Sequence, residues 1–222
     1  MAKVAVVLSG CGVNDGSEIH ESVLTLLALD KQGVEVQCLA PDLPQMHVVD
    51  HIKGEPQDGE TRNVLVESAR IARGEAKAIN SVSASEFDAV VFPGGFGVAK
   101  NLCDYAVEGT DCTVNPDVAN FVNDAYKSSI PLGFICISPV LAAKVLGEKA
   151  DDLKLTIGND SATAADVEEF GATHVNCPVD DCVIDKNNRV ISTPAYMLGP
   201  GIKDVDRGIE KLVQEIVIMA SG

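Results

Sequence analysis

Cys136 is the side chain in this sequence whose surroundings best suit nucleophilic chemistry. It follows the apolar run LGFI, which is typical of a buried strand, and it precedes PVLAAKVLG, which is typical of a helix. A residue at such a sharp strand-to-helix turn is held exposed, and the next backbone N–H, that of Ile137, can face a developing oxyanion. The helix dipole and the free N–H groups of the first turn favour a thiolate. We therefore predict that Cys136 is an acidic, nucleophilic thiol.

Two further features follow other predicted strands. Gly94 and Gly95 come after the apolar run FDAVVF, and their N–H groups, unobstructed by side chains, could complete an oxyanion hole with Ile137. Glu18 lies in the first turn of the first predicted helix. Its carboxylate either stabilises the helix N-terminus or, when protonated, hydrogen-bonds the Cys136 thiolate and shuttles a proton. Ligands of parallel α/β sheets bind beyond the carboxyl ends of the strands, where these loops would meet.

A histidine partner for the cysteine is not obvious from the sequence. Ile137 follows Cys136 directly, and His20 is two residues from Glu18, which places it about 200° away on a helix. His174 could approach only if its loop folds over the site. Both histidines stay open as partners, because a catalytic base needs only hydrogen-bond reach.

No cofactor is predicted. His47 and His51 are four residues apart and could share a helix face, but no third ligand accompanies them, so we predict no metal site. The glycine-rich loop SGCGVNDG contains neither GxGxxG nor a P-loop lysine, so we predict no nucleotide. The seven cysteines include no CxxC pair, which indicates reduced thiols rather than a disulfide framework or a zinc site.

The composition limits the classes of function. The chain has 222 residues, 46% of them hydrophobic, and a formal net charge of −16. This charge disfavours nucleic acid, because phosphate binding needs clustered Lys and Arg. No apolar run approaches the ~20 residues that cross a bilayer, so no membrane partner is predicted. The first residues lack the pattern of a signal peptide or an organelle presequence, from which we predict a cytoplasmic protein.

The elements that position these residues alternate between strands and helices. Buried strands are predicted at 3–8, 34–40, 87–92 and 132–135, and a hairpin at 182–192. The first helix, capped by Ser17 and ended by Gly33, should pack through the apolar residues Ile19, Val23, Leu26, Leu27 and Leu29. The pattern predicts one α/β domain over residues 1–222, with a doubly wound, mostly parallel sheet between helices on both faces.

Taken together, five stretches of the sequence resemble the ElbB family of the ThiJ/PfpI superfamily. The matching stretches are KVAVVLSGCGVNDGSEIHE, ETRNVL, VVFPGGFGVAKNL, PLGFICISP and STPAYML. The resemblance covers nearly the whole chain and implies the flavodoxin-like fold of class I glutamine amidotransferases. It also implies a nucleophile at Cys136, a partner carboxylate at Glu18, an oxyanion site at the amides of Gly94, Gly95 and Ile137, and a homodimer.

The resemblance implies a glyoxalase that needs no glutathione, of the glyoxalase III type, acting on a small aldehyde. In this hypothesis the Cys136 thiolate adds to glyoxal or a similar 2-oxoaldehyde, Glu18 moves a proton between the adjacent carbons, and water releases a 2-hydroxy acid. The alternatives are a protein or small-molecule deglycase, or a redox-sensing protein that uses the same cysteine. The missing histidine makes glutaminase chemistry doubtful, so we do not predict a glutaminase.

Overall fold

The computed structural model describes residues 1–222. Its strands are β1 (Lys3–Val7), β2 (Glu35–Ala40), β3 (Val49–Asp50), β4 (Glu55–Pro56), β5 (Ala76–Ala78), β6 (Ala89–Phe92), β7 (Leu132–Ile135), β8 (Lys154–Leu155), β9 (Thr173–His174), β10 (Val183–Asp185) and β11 (Val190–Thr193). Its α-helices are α1 (Ile19–Lys31), α2 (Val64–Ile71), α3 (Tyr105–Glu108), α4 (Pro116–Lys127), α5 (Ser138–Leu146), α6 (Ser161–Glu169) and α7 (Ile202–Ser221).

A seven-stranded sheet in the order β10-β11-β7-β6-β1-β2-β5 forms the centre of the molecule. Every neighbouring pair is parallel except β10 and β11, which form the antiparallel hairpin at one edge. Strands β6, β7 and β11 are buried along their whole length, as expected where helices cover both faces. The predicted α/β fold with a mostly parallel sheet is confirmed.

Two hydrophobic clusters lie on opposite faces of this sheet. One contains Val118 of α4, Val140 of α5 and Val167 of α6. The other contains Leu29 of α1 and Ile209 of α7, together with the rest of the buried side of α7. The helices therefore cover both faces, and the sheet edge at the carboxyl ends of β1, β6 and β7 lies between them. None of the helices is long and apolar enough to cross a membrane.

Helix α1 packs through a side that agrees only in part with the one predicted, since Leu29 is buried as expected and Leu26 is partly buried. The structure buries Glu21, Ser22, Thr25, Ala28 and Leu29. It leaves Ile19, Val23 and Leu27 between 43% and 49% exposed. The buried polar groups have partners within the molecule, since the hydroxyls of Ser22 and Thr25 donate to carbonyls one turn earlier, at 2.7 Å each. Polar residues with satisfied hydrogen bonds can be buried at little cost, so the prediction from apolar residues alone is wrong for Ile19, Val23 and Leu27.

Candidate active site

Cys136 occupies a strained turn between β7 and α5. Its φ is +64°, an uncommon value for a residue other than glycine, which costs on the order of 1–3 kcal/mol. The Cys136 N–H donates to the Thr193 carbonyl at 2.9 Å. The Ser138 hydroxyl accepts the Ile135 N–H at 2.7 Å and lies 2.9 Å from the Phe92 carbonyl. These bonds to three neighbouring strands hold the turn, as a nucleophile elbow requires.

The acidic partner of the Cys136 thiol is Glu21, on the buried side of α1. Its side chain is inaccessible to solvent and hydrogen-bonds the thiol. One carboxyl oxygen, Oε2, accepts the Gly94 N–H at 2.9 Å, and the other, Oε1, accepts the Tyr196 N–H at 3.2 Å. Two backbone donors from different loops therefore fix the carboxyl group against the sulfur.

The thiol and the carboxyl group hold their protons more tightly than usual. Burial, followed by the charge of Glu18, raises the pKa of Glu21 to about 8. Burial is also the largest cause that raises the pKa of Cys136 well above its usual range, and the charge and hydrogen bond of Glu21 add to it. Because each negative charge disfavours the other, the pair carries at most one charge near neutral pH. The prediction of an acidic thiol is therefore wrong, since desolvation outweighs the helix N-terminus.

Glu18, the predicted partner of the cysteine, lies beside the pair and has another hydrogen-bonding task. It is the N-cap of α1, and its Oε2 accepts the Glu21 N–H at 2.7 Å. Its own N–H donates to the Gly94 carbonyl at 2.9 Å. Glu18 is 9% exposed and borders the same pocket as Cys136.

The three predicted oxyanion donors do not act alike. The N–H groups of Gly95 and Ile137 hydrogen-bond the Cys136 sulfur, which lowers its pKa against the larger effect of burial. The N–H of Gly94 is engaged by Glu21 instead. A Cβ at Gly94 would lie 2.4 Å from the Cys136 Cβ and 2.6 Å from Glu21 Oε2, so this glycine makes room for the contact between the two side chains.

The pocket above the sulfur has a volume of about 450 Å³ and is lined mostly by apolar side chains. Phe96, Tyr105, Tyr196 and Met197 form much of its wall, and Glu18 is its acidic member. A mostly apolar pocket with one nucleophile and one carboxylate matches the usual composition of small-molecule sites. Cys136 is 7% exposed, so only a small reactant that enters the pocket reaches the sulfur.

Neither candidate histidine hydrogen-bonds Cys136. His20 Nδ1 lies 2.8 Å from the Tyr196 hydroxyl, so it reaches the pocket wall through that tyrosine. His174 Nε2 accepts the Ile157 N–H at 3.2 Å and does not border the pocket. The base nearest to the thiol is therefore the carboxyl group of Glu21.

Comparison with known proteins shows the family to which this chain belongs. The chain is 45% identical over 225 residues to the human "Glutamine amidotransferase-like class 1 domain-containing protein 3, mitochondrial", covering 97% of this chain and 82% of that protein. It is 44% identical to the rat "ES1 protein homolog, mitochondrial", covering 97% and 83%. The chain belongs to the ES1 family. No family model matches it.

Solved structures agree with this ES1-family fold. A structure from Ehrlichia chaffeensis, described as an isoprenoid biosynthesis protein with an amidotransferase-like domain, superposes with a TM-score of 0.92 at 41% identity, covering 99% of each chain. Drosophila melanogaster DJ-1beta superposes with a TM-score of 0.57 at 19% identity, covering 100% of this chain and 97% of that one, and shows the shared fold alone. The predicted flavodoxin-like architecture is thereby confirmed, and the printed name of the human relative supports the predicted likeness to class I glutamine amidotransferases.

The relatives overturn the predicted location. The human, rat and zebrafish ES1-family proteins are all named as mitochondrial, so the prediction of a cytoplasmic protein is wrong. That prediction depended on the residues at the start of the chain. The chain covers only 82% of the human protein, so its first residues are no basis for assigning a compartment.

Glu21 and Tyr196 are the residues of this ES1-family site that the sequence reasoning missed. A signal for Glu21 does exist, because it begins a stripe of small and hydroxyl side chains, Ser22, Thr25 and Ala28, along one side of α1. Such a stripe permits close packing against the sheet. For Tyr196 we find no such signal, since its backbone N–H, rather than its side chain, contacts Glu21.

Proposed function

We propose that this ES1-family protein is a glyoxalase-type enzyme that needs neither glutathione nor another cofactor. It would convert glyoxal, or a similar small 2-oxoaldehyde, to a 2-hydroxy acid. The observation that carries the proposal is the Cys136 sulfur on its strained turn, in contact with the buried Glu21 carboxyl group and with two backbone N–H groups. The resemblance to the ThiJ/PfpI superfamily, with which this chemistry is compatible, supports it.

The first step of the proposed reaction is addition of the thiol to the aldehyde. Ionised Glu21 takes the proton from the Cys136 sulfur as the sulfur–carbon bond forms and the carbonyl π bond opens onto oxygen. The N–H groups of Gly95 and Ile137, which hydrogen-bond the sulfur, lie beside the carbon that it attacks and stabilise the oxyanion. The proton held by Glu21 then passes to that oxygen, which gives a neutral hemithioacetal.

The second step moves hydrogen between the two carbons of the substrate. We propose Glu18 for this transfer, because its carboxylate borders the pocket while Glu21 stays buried behind the sulfur. A proton leaves the former aldehyde carbon, an enediol forms, and a proton returns to the adjacent carbon to give the thioester of a 2-hydroxy acid. Water hydrolyses this thioester and restores the thiol, so the net reaction is aldehyde plus water, with no external oxidant.

The test is turnover of glyoxal to glycolate by wild type, Cys136→Ala and Cys182→Ala. Cys182 is a half-buried thiol outside the pocket and serves as the matched control. We expect the wild type and Cys182→Ala to agree and Cys136→Ala to be inactive. Equal turnover in Cys136→Ala and wild type would end the proposal. Wild type without turnover, combined with reversible peroxide oxidation of Cys136, would support the redox-sensing alternative.

Two finer assignments accompany this proposal. We assign the chain to the ElbB branch, supported by the 41% identity to a structure described as an isoprenoid biosynthesis protein. We also expect a homodimer of single-domain chains. The exposed apolar residues Ile19, Val23 and Leu27 along one side of α1 are compatible with contact to a second copy. Sedimentation of the full chain checks the mass, and a monomer at all concentrations would contradict the dimer.

A further inference from the structure

Cys103 and Cys112 form a second thiol cluster, which the proposed reaction does not use. Both are buried, with 6% and 3% of their surfaces exposed. Cys103 follows the π-helical turn 98–102, and Cys112 follows the short helical segment 105–111. The two thiol groups lie close enough to shift each other's pKa, and the Cys103 thiol also donates to the Val98 carbonyl at 3.3 Å.

The backbone explains why these two side chains meet. Cys103 pairs with Val114 in an isolated antiparallel bridge. The flanking bonds run from Asp104 N–H to the Thr113 carbonyl at 3.3 Å and from Asn115 N–H to the Leu102 carbonyl at 2.8 Å. Residues two apart on an extended strand face the same side, so Cys112 lies diagonally across from Cys103. The contact is therefore built into a hydrogen-bonded pair of segments.

We propose that Cys103 and Cys112 are a redox-active dithiol, which peroxide converts to an intrachain disulfide.

The surroundings assign different roles to the two sulfurs. The hydrogen bond from Cys103 is the largest cause that lowers the pKa of Cys112, and the Lys144 ammonium lowers it further against the effect of burial. The position of Lys144 is fixed by its hydrogen bond to the Thr110 carbonyl at 3.0 Å. The pKa of Cys103 is raised, first by the same thiol contact and then by burial. Because Lys144 borders the same cleft as Cys112, while the Cys103 thiol donates to the Val98 carbonyl at 3.3 Å, we assign Cys112 as the attacking thiolate and Cys103 as the resolving thiol.

Small oxidants have a path to both sulfurs. Cys112 borders a surface cleft of about 270 Å³ that it shares with Lys144 and Lys149. Cys103 borders a separate cleft of about 220 Å³. Hydrogen peroxide is about the size of a water molecule, so clefts of this volume admit it, whereas larger thiol reagents meet two nearly buried sulfurs.

The reaction balances with peroxide as its oxidant. The Cys112 thiolate attacks one peroxide oxygen, so that a sulfur–oxygen bond forms, the oxygen–oxygen bond breaks and hydroxide leaves as water after protonation. The Cys103 thiol then attacks the sulfur of the sulfenic acid. The disulfide forms and the hydroxyl departs as water with the Cys103 proton. Two thiols are oxidised by two electrons, and one peroxide is reduced to two waters.

This disulfide would join the two ends of a segment that forms part of the Cys136 pocket. The residues between the two cysteines include Tyr105, which borders that pocket. The Tyr105 hydroxyl donates to Asp166 of α6 at 2.5 Å. The oxidation state of the dithiol would thus act on the wall of the pocket without changing Cys136 itself.

Peptide mapping of the intact chain tests the proposal directly. No Lys or Arg lies between positions 100 and 127, so trypsin releases Cys103 and Cys112 together on peptide 101–127, without another cysteine. After mild peroxide treatment and alkylation in denaturant, we expect this peptide to carry no alkyl group and to have a mass two hydrogens below that of the reduced, unalkylated peptide. After reduction and a second alkylation it should carry both alkyl groups. Peptide 155–186, which carries Cys177 and Cys182 five residues apart, is the internal control and should stay fully alkylated.

The variant Cys103→Ser separates the roles of the two sulfurs. In this variant we expect Cys112 to take up oxygen and give a sulfenic or sulfinic acid, because no resolving thiol is present. In Cys112→Ser we expect Cys103 to remain alkylated at the same peroxide concentration. The proposal is overturned if wild-type peptide 101–127 keeps both alkyl groups while Cys136 oxidises. It is also overturned if the 155–186 peptide oxidises at the same rate.

Discussion

The buried acid Glu21 should make the stability of this protein fall as the pH rises through the neutral range. The folded state raises the pKa of this carboxyl group from 4.5 to about 8, chiefly by burial. Below pH 4.5 both the folded and the unfolded chains hold the proton, and the contribution to stability is fully present. Above that pH the unfolded chain releases the proton first, so the contribution declines and is lost near pH 8.

The size of this decline follows from the difference between the two pKa values. At 1.36 kcal/mol for each pKa unit, the loss between pH 4.5 and 8 is at most about 5 kcal/mol. Glu21→Gln removes the titration, but the amide NH₂ then faces a backbone donor, the N–H of either Gly94 or Tyr196. A donor left without an acceptor costs about 1–3 kcal/mol at every pH. The variant should be less stable than wild type in acid and more stable in base, with the curves crossing between about pH 5 and 7.

Urea unfolding of both proteins at intervals from pH 5 to 9 measures the difference. Glu35→Gln, at an exposed carboxyl group on β2, is the matched control for replacing a carboxyl group by an amide. Comparing two proteins at each pH removes the contribution of titrating groups that do not interact with Glu21. A difference between Glu21→Gln and wild type that stays constant from pH 5 to 9 would refute the assignment of Glu21 as a buried, neutral acid.

Three further predictions test the contact between Glu21 and Cys136, the packing at Gly94 and the bond that holds the Cys136 turn. Alkylation of Cys136, followed on the tryptic peptide 128–144, should rise through about pH 8 in wild type, because burial raises the pKa of Glu21 to about 8 and ionised Glu21 takes the thiol proton. In Glu21→Gln this base is absent, so alkylation should rise only at higher pH. Identical profiles would contradict the coupling of the pair. Gly94→Ala should cost about 3 kcal/mol or more in urea unfolding, because its Cβ would meet the Cys136 Cβ at 2.4 Å. In contrast, Gly201→Ala, whose Cβ would meet nothing nearer than 3.9 Å, should cost about 1 kcal/mol or less; equal costs would contradict the packing. Ser138→Ala should lower stability by about 1–3 kcal/mol and slow the glyoxal reaction, because the Ile135 N–H loses its acceptor; unchanged turnover would show that this bond does not hold the turn.

The elements with uniform patterns were predictable from the sequence. Strand β7 lies at 132–135 as predicted, because four buried apolar residues between polar turns permit few alternatives. The cap of α4 depends on equally local chemistry, with Asn115 accepting the N–H groups of Asp117 and Val118 and Pro116 at the first position. These features depend on local chemistry that a single sequence carries in full.

The candidate site was predictable only in part. The strained turn at Cys136 follows from the junction of strand and helix, and the structure brings Glu18, Gly95 and Ile137 to the same pocket. The assignment of the carboxyl partner depended on which side of α1 faces the sheet. That choice is made by tertiary hydrogen bonds from Gly94 and Tyr196, which the helix sequence alone does not contain.

The same burial that destabilises the folded chain in base supplies the chemistry of the site. A solvated Glu21 would ionise far below neutral pH and would hardly take a proton from a thiol. Placed without water beside Cys136, it gains proton affinity, which makes it a stronger base for the thiol proton than a solvated carboxylate would be. The orientation of α1 that brings this carboxyl group to the sulfur leaves the apolar residues Ile19, Val23 and Leu27 of the same helix exposed. Glu21 therefore lowers the free energy of unfolding at high pH and raises the reactivity of Cys136. A substitution of Glu21 that increases stability in base should lower the reactivity of the cysteine.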